Sequence, residues 1–269
     1  MAEHPTPTQP CWDMTFMAVP GIPLIQPGDD LPTIIVAAIT ATGLALEDDD
    51  VLVVAQKIVS KAEGRVRNLA DVIPTERAKR LAAHTGRDPR LCQLYLDESR
   101  AILEVNGRHV VTLHKLGLVG TSAGIDASNV AKRSEGHVVL LPEDPDASAR
   151  RIRDGIRDLT GRRVAVIVSD SLGNPTRDGA YGAAIGIAGI RHLEEPSEHD
   201  LFDNPSKPLI DRVDEVASAA SILMGQSAAA RPVVVGRGVP YTIDEHASIR
   251  SLLLEVPLPD VDYDLAHFQ

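Results

Sequence analysis

The chain has 269 residues, of which 43% are hydrophobic and 24% charged, and this composition excludes a disordered or fibrous protein. Its formal charge of −11 and its aromatic content of 3% argue against a general nucleic-acid binder, because such binding depends on a field of Lys and Arg and on aromatic stacking. A small anionic ligand stays open if local cations or a metal ion offset the acidic surface.

The sequence carries no signal for a membrane or an extracellular location. No apolar stretch reaches the roughly 18–20 residues that a membrane span requires, and the first residues lack the apolar core of a signal peptide. Cys11 and Cys92 show no disulfide or zinc-ligand spacing, which favours two free thiols in a reducing compartment. We therefore expect a cytoplasmic protein without a membrane partner.

The first half of the chain alternates helical and strand patterns after a short leader. Residues 1–15 contain three prolines and no hydrophobic period, so we expect a flexible leader there. Asp30 suits the N-cap of a helix with Pro32 in its first turn, and the β-branched run Val51–Ala55 predicts a buried strand. Two short helices are predicted at Glu76–Thr85 and Pro89–Glu98, the second capped by Asp88.

A β-hairpin is predicted around Asn106 and Gly107. This dipeptide separates two apolar runs, and Asn-Gly supplies the two positive φ angles of a type I′ turn. The second half of the chain then predicts a helix over residues 147–159 closed by Gly161, a strand over 164–170, and a helix over 213–224. A polar surface loop is expected between residues 194 and 211, which include three prolines.

These elements predict an α+β fold with mixed or antiparallel sheets and packed helices. Hairpins occur among the helices, without the strict βαβ alternation of a doubly wound sheet. Neither a Walker GxxxxGK[ST] loop nor a GxGxxG loop at a strand-to-helix turn occurs. The glycines between residues 179 and 189 are better explained by close packing of a small-residue strand than by a ligand.

Two segments place charged residues among small ones. Lys61 and Arg65 follow the strand that begins at Val51 and suit an anion site, although from these residues alone a solvated turn is the preferred explanation. Asp126 lies among small residues and suits a metal ion, with Asn129 as a hydrogen-bonding neighbour. The alternative for Asp126 is an ordinary Asx turn.

A third segment places Asp170 at the end of a hydrophobic strand. Gly173 and Arg177 follow it, and an acid at the carboxyl end of a buried strand commonly holds a hard metal ion and its phosphates. From the residues alone, the sequence predicts an enzyme-like site with two separated carboxylates and several cations. It does not identify the reaction.

Several blocks of the chain, in order, resemble the coenzyme F420-0:L-glutamate ligase family, the γ-glutamyl ligases of F420 biosynthesis. The blocks are GIPLIQPGDDL, DVLVVAQKIVSKAEGRV, SAGIDASNV, VIVSDSLG, AIGIAGI and DEVASAASILMGQ. The resemblance runs from about residue 20 to about residue 240, so residues 16–269 are expected to form the ligase domain.

The resemblance implies amide ligation driven by GTP. In this family L-glutamate is joined through its amine to the terminal carboxylate of the F420 precursor, and further glutamates can follow through γ-linkages. An acyl phosphate is the expected intermediate, with GTP as co-substrate and Mg²⁺ or Mn²⁺ together with K⁺ as cofactors. The family's fold is α+β, assembled as an intertwined homodimer, and its partners are small molecules.

The resemblance also implies roles for individual positions. Asp126 and Asp170 match metal-binding acids, Ser171 and Gln226 match ligands of a second metal, and Lys61, Asp126 and Asp170 are the expected catalytic set. The positions that match nucleotide contacts are Ile22, Pro23, Leu24, Ile25, Gln56, Lys57, Lys61, Asn129, Met224, Gly225 and Arg231. Asn174 and Thr176 depart from the family pattern. They leave open a related ligase with another carboxylate acceptor, or a non-catalytic binder of F420 or nucleotides.

Overall fold

The computed structural model describes residues 13–130, 135–173, 178–194, 199–226 and 228–255. Its helices are α1 (Leu31–Ala41), α2 (Gln56–Ala62), α3 (Glu76–Thr85), α4 (Pro89–Glu98), α5 (Pro145–Thr160) and α6 (Arg212–Met224). Its strands are β1 (Thr15–Ala18), β2 (Val51–Ala55), β3 (Val66–Asn68), β4 (Ser99–Asn106), β5 (His109–His114), β6 (Val119–Thr121), β7 (His137–Val139), β8 (Ala165–Gly173), β9 (Ala180–Ala188), β10 (Leu193–Glu194), β11 (Ile210–Asp211) and β12 (Val233–Arg237). Residues 1–12 of the predicted leader, including Cys11, and the positions Asn174, Thr176 and Arg177 lie outside the described residues.

A five-stranded mixed sheet forms the centre of the molecule, in the order β1-β12-β2-β8-β9. Within this sheet β2 and β8 are parallel, whereas the other neighbouring strands are antiparallel. Val51 and Val53 of β2 pack with α6 on one face, while Leu52 and Val54 pack with α1 and α5 on the other. The β2 strand is therefore apolar throughout because both of its faces are covered. The predicted α+β class is confirmed.

The predicted helices form where their start and stop signals lie. Thr75 is the N-cap of α3, and its side chain accepts a hydrogen bond from the Ala78 amide; Asp88 is the N-cap of α4 and accepts one from the Arg90 amide. Gly161 closes α5 in the left-handed conformation that glycine adopts at little cost. None of the described helices is both long and apolar enough to cross a membrane.

A smaller layer forms from α3, α4 and the three-stranded sheet β4-β5-β6. Leu81, Tyr95 and Ile102 are buried together in its core. The hairpin between β4 and β5 is confirmed, but the predicted type I′ turn is wrong. Asn106 pairs with His109, so the two turn residues are Gly107 and Arg108, and of these Gly107 alone has a positive φ, 54°. A glycine with positive φ in the first turn position is the requirement of a type II′ turn.

Two predicted boundaries in the second half also change. Strand β8 does not end at Asp170 but continues to Gly173, because the last residues of β8 pair with the start of β9. The segment predicted as a surface loop, residues 194–211, begins and ends in the two short antiparallel strands β10 and β11, in which Leu193 pairs with Asp211. Asp170 therefore lies within a strand, held by pairing on one side.

The glycines of β9 are required by packing, as the small-residue pattern predicts. A Cβ at Gly186 would lie 2.3 Å from the backbone carbon of Pro145, at the start of α5. We expect Gly186→Ala to lower the free energy of unfolding by about 1–3 kcal/mol, because helix and strand would have to separate. Urea denaturation would measure the loss. Gly120→Ala is the control, since its Cβ would meet Leu172 at an ordinary 3.8 Å, and an equal loss there would contradict the packing argument.

Candidate active site

A pocket of about 460 Å³ lies at the carboxyl ends of the parallel strands β2 and β8. Open α/β sheets commonly bind ligands at this edge, where the strands end and helices begin. Helix α2 starts directly after β2 and forms one wall, and the end of α6 forms another. All positions that the resemblance assigned to ligands line this pocket: Ile22, Pro23, Leu24, Ile25, Gln56, Lys57, Lys61, Asn129, Met224, Gly225 and Arg231, with Asp126, Asp170, Ser171 and Gln226. Their individual roles stay predictions.

Asp126 is held by a compact polar network. Its Oδ2 lies 2.7 Å from Lys57 Nζ, and Oδ1 accepts a 2.6 Å hydrogen bond from the Ser128 amide. Burial acts to raise the pKa of Asp126, but the hydrogen bonds from Lys57 and Ser128 outweigh it and lower that pKa. The Asx turn predicted as the alternative is present, and it presents a charged carboxylate to the pocket.

Asp170 has the opposite electrostatic environment. Burial is the largest influence and raises the pKa of this carboxyl to about 6, and the negative charge of Asp126 acts in the same direction. The Ser171 amide and the charge of Lys57 oppose the shift without cancelling it. The pocket thus contains two acids whose pKa values are moved in opposite directions, and perturbed pKa values of this kind cluster at functional sites.

Lys61 projects from the last turn of α2 toward the loop after Asp126. Its Nζ donates a 2.6 Å hydrogen bond to the carbonyl oxygen of Asn129, which has a positive φ of 55°. Burial and then the nearby charge of Lys57 lower the pKa of Lys61. Two lysines thus converge on the pocket, and their mutual repulsion would be relieved by an anionic ligand.

A buried amide donor also lines the pocket. Gln56 is 2% exposed, its Oε1 accepts from Ser60 Oγ at 2.9 Å, and its Nε2 has no hydrogen-bond partner within the described structure. Buried donors without a partner are rare, and at a pocket wall they indicate a ligand or water acceptor. Elsewhere in the pocket lining, Gln226 Nε2 donates to Ser171 Oγ at 3.1 Å.

The structure does not bring Lys61 and Arg65 together in one site, as the anion-site prediction required. Lys61 lies in helix α2, whereas Arg65 points away from this pocket and donates to Glu98 at 2.6 Å and to Glu143 at 3.0 Å. Arg65 is buried because it joins three chain segments by these contacts and by a bond to the Leu141 carbonyl. Spacing along the chain does not reveal this, because a seven-residue helix intervenes after β2.

The turn before Asp126 is a feature that sequence reasoning missed. Ser122, Ala123 and Gly124 have consecutive positive φ angles of 58°, 51° and 64°. Left-handed conformations cost about 1–2 kcal/mol for each residue with a Cβ, and such strain clusters at functional sites. Gly124 is the one sequence signal for this turn. The turn carries the chain from β6 to Asp126 along the pocket wall.

The donor set suits a divalent metal ion bound together with phosphate. Across the described ranges, no three His, Cys, Asp or Glu side chains gather as metal ligands. Asp126 and Asp170 instead supply two carboxylates on one pocket, beside the hydroxyl of Ser171. Mg²⁺ is usually held by one or two carboxylates, with substrate phosphates and water completing its shell. These residues therefore fit such an ion, provided that the ligand brings phosphate groups.

Comparison with known proteins gives one consistent result. The family model described as F420-0:Gamma-glutamyl ligase matches residues 21–238. The Coenzyme F420:L-glutamate ligase of Methanothermobacter thermautotrophicus is 39% identical over 230 residues, covering 85% of this chain and 90% of the relative. Proteins of the same name from Methanocaldococcus jannaschii and Archaeoglobus fulgidus are 42% and 41% identical, covering 73% and 82% of this chain and 79% and 86% of the relatives. The matched segment contains the whole pocket lining.

Proposed function

The chain belongs to the F420-0:gamma-glutamyl ligase family, and we propose that it joins L-glutamate to the coenzyme F420 precursor in a reaction driven by GTP. The observation that carries the proposal is the convergence of two acids and two lysines, Asp126, Asp170, Lys57 and Lys61, in one pocket. The relatives' shared name supplies the substrates, and the pocket supplies groups suited to phosphate and a divalent ion.

The proposed chemistry has two steps. A carboxylate is a poor acyl donor, so an oxygen of the F420 precursor's carboxylate attacks the γ-phosphorus of GTP, and the bond from that phosphorus to GDP breaks. The L-glutamate amine then attacks the carbonyl of the resulting acyl phosphate. The amide bond forms as inorganic phosphate leaves, and the amine gives up a proton. No protein nucleophile is needed, because positioning and electrostatic stabilisation account for catalysis of phosphoryl transfer.

The pocket residues have separate parts in this scheme. We assign Lys61 to the nucleotide phosphates and the buried Nε2 of Gln56 to a polar atom of the nucleotide. Asp126 and Asp170 would hold Mg²⁺ or Mn²⁺, which when bound offsets phosphate charge. Ser171 and Gln226 would hold a second ion, and K⁺ is proposed as a further cofactor. Such an arrangement stabilises the extra negative charge of the first step.

A product-mass assay tests the proposal. Purified protein with GTP, Mg²⁺, L-glutamate and the F420 precursor should give a product heavier by one glutamyl unit, and GDP should appear in step with it. If neither Mg²⁺ nor Mn²⁺ supports a mass shift, the proposed function is wrong. GTP turnover with another carboxylate acceptor would instead identify the related ligase, and nucleotide binding without turnover the non-catalytic binder.

We also propose a homodimer, in which residues 16–269 act as one ligase domain. Exposed apolar side chains support an interface between two copies of the chain. Leu201 and Phe202, which lie between β10 and β11, are 99% and 83% exposed. Light scattering during size-exclusion chromatography should give about twice the chain mass of 28.8 kDa. A single-chain mass at micromolar concentration would contradict this part of the proposal.

A further inference from the structure

The ammonium group of Lys57 uses all of its hydrogen-bond donors on one loop of the pocket, the loop that contains Asp126 and Ser128. Its Nζ lies 2.7 Å from Asp126 Oδ2 and donates to the carbonyl oxygen and the Oγ of Ser128, each at 2.9 Å. A lysine ammonium has three hydrogen-bond donors, and these contacts account for all three. In this arrangement Lys57 has no donor left for a phosphate.

Both oxygens of Asp126 are engaged in the same network. Oδ2 accepts from Lys57 and from Ser128 Oγ, and Oδ1 accepts from the Ser128 amide. A divalent cation binds carboxylate oxygens, and at Oδ2 it would meet the positive charge of Lys57 at hydrogen-bond distance. Lys57 and the cation therefore compete for one carboxylate oxygen.

Lys61 differs in this respect, although it lies one helical turn away. It donates to the Asn129 carbonyl at 2.6 Å, a neutral acceptor that a metal ion does not require. The two lysines carry the same charge and line the same pocket, so they form a matched pair. A contact with Asp126 is the feature that separates them.

We propose that Lys57 serves as the counter-ion of Asp126 before nucleotide and metal bind and leaves it for a nucleotide phosphate, so that nucleotide binding makes an oxygen of Asp126 available to the metal ion. The inference rests on the proposed function, which places a divalent ion on Asp126 and phosphates in this pocket. Nucleotide binding then removes Lys57 from the oxygen that the divalent ion needs, and binding of the ion frees Lys57 for the nucleotide. The two effects are equal in size because the coupling between two binding equilibria has one free energy.

Metal affinity measured without turnover tests this inference. Electron paramagnetic resonance reports free Mn²⁺, so titrations of the wild type, Lys57→Met and Lys61→Met give three affinities with no nucleotide present. Lys57→Met should bind Mn²⁺ about tenfold more tightly than the wild type, since a charged hydrogen bond no longer has to be broken. Lys61→Met should tighten binding clearly less, because it removes an equal charge without a contact to Asp126.

A second arm measures the coupling with GDP as the probe. Mn²⁺–GDP complexes in free solution are corrected for. GDP should then raise the Mn²⁺ affinity of the wild type and of Lys61→Met by a larger factor than that of Lys57→Met. The inference is wrong if Lys57→Met binds Mn²⁺ no more tightly than the wild type, or if Lys61→Met gains as much Mn²⁺ affinity as Lys57→Met. Either result would leave the ligase proposal intact. If none of the three proteins binds Mn²⁺ with or without GDP, the metal site of the proposed function itself is wrong. Circular dichroism confirms that each variant is folded.

Discussion

Replacing Asp170 by asparagine should reduce formation of the glutamylated product at least about 100-fold. The change keeps the size of the side chain and its place in β8, but it removes one of the two carboxylates that line the pocket among the described residues. Loss of one preorganised electrostatic group commonly costs 10²–10³ in turnover, and a missing carboxylate also weakens a bound divalent ion. Product mass against time, at saturating GTP and Mg²⁺, measures the effect.

The matched control is Asp158→Asn. Asp158 lies on the exposed side of α5, away from the pocket lining, so its loss of charge should leave turnover within about twofold of the wild type. A comparable loss in both variants would indicate an effect of net charge rather than of the site. Full activity of Asp170→Asn would remove Asp170 from the proposed metal site.

The same substitution should stabilise the metal-free protein above pH 6. Burial raises the pKa of Asp170 to about 6 from an ordinary 3.8, so the folded state binds this proton more tightly than the unfolded chain does. The free energy of unfolding therefore falls as the pH rises from about 4 to about 6, and asparagine avoids that loss. Urea denaturation in EDTA should show Asp170→Asn more stable by roughly 2 kcal/mol at pH 7 and little changed near pH 4. A pH-independent difference would contradict the argument.

The layout of elements could be predicted because its signals are local. Asp88 caps the start of α4 and Gly161 the end of α5 through contacts within a few residues, and the β-branched run of β2 requires burial on both faces. The turn after Asn106 was shifted by one residue, since strand register depends on pairing across β4 and β5 that composition does not encode.

The site could be predicted as a set of positions but not as a network. The resemblance assigned Lys57 to the nucleotide, and the structure shows it on Asp126, a contact between segments far apart in the chain. Arg65 matched an anion site by its charge and position, yet tertiary packing directs it to Glu98. Pairings of this kind depend on how β2, α2 and the loop after β6 approach one another, and one chain's sequence has no local signal for them.

The contacts in the pocket explain how a chain with a surplus of acidic residues can bind a ligand that carries phosphate. A charge of −11 is compatible with a phosphate-bearing ligand because Lys57 and Lys61 concentrate positive charge in one pocket. The two pocket acids differ, since Asp126 forms an ion pair with Lys57, whereas burial raises the pKa of Asp170, which forms no ion pair among the residues that the structure describes. An ion pair at Asp126 and a raised pKa at Asp170 both reduce the negative charge that the pocket has to accommodate, and a bound cation would do the same.

Replacing Arg237 by methionine should lower the free energy of unfolding by about 3 kcal/mol or more. Arg237 ends β12 and donates to both carboxylate oxygens of Asp50, at 2.8 and 2.7 Å, and Asp50, which is 1% exposed, directly precedes β2. Removing one partner of a buried pair leaves an uncompensated charge, which typically costs 3–5 kcal/mol. Urea denaturation at pH 7 measures the loss.

Two further variants separate the buried charge from the loss of a side chain. Adding Asp50→Asn to Arg237→Met removes the unpaired charge and should recover part of the lost stability. Arg163→Met breaks an exposed pair with Asp49 at 3.3 Å and should cost less than about 1 kcal/mol. Equal losses in Arg237→Met and Arg163→Met would show that the buried pair contributes no more than a surface one. A large loss confined to Arg237→Met would instead show that the Arg237–Asp50 ion pair stabilises the central sheet where β12 pairs with β2. Strand β2 leads directly into the pocket helix α2.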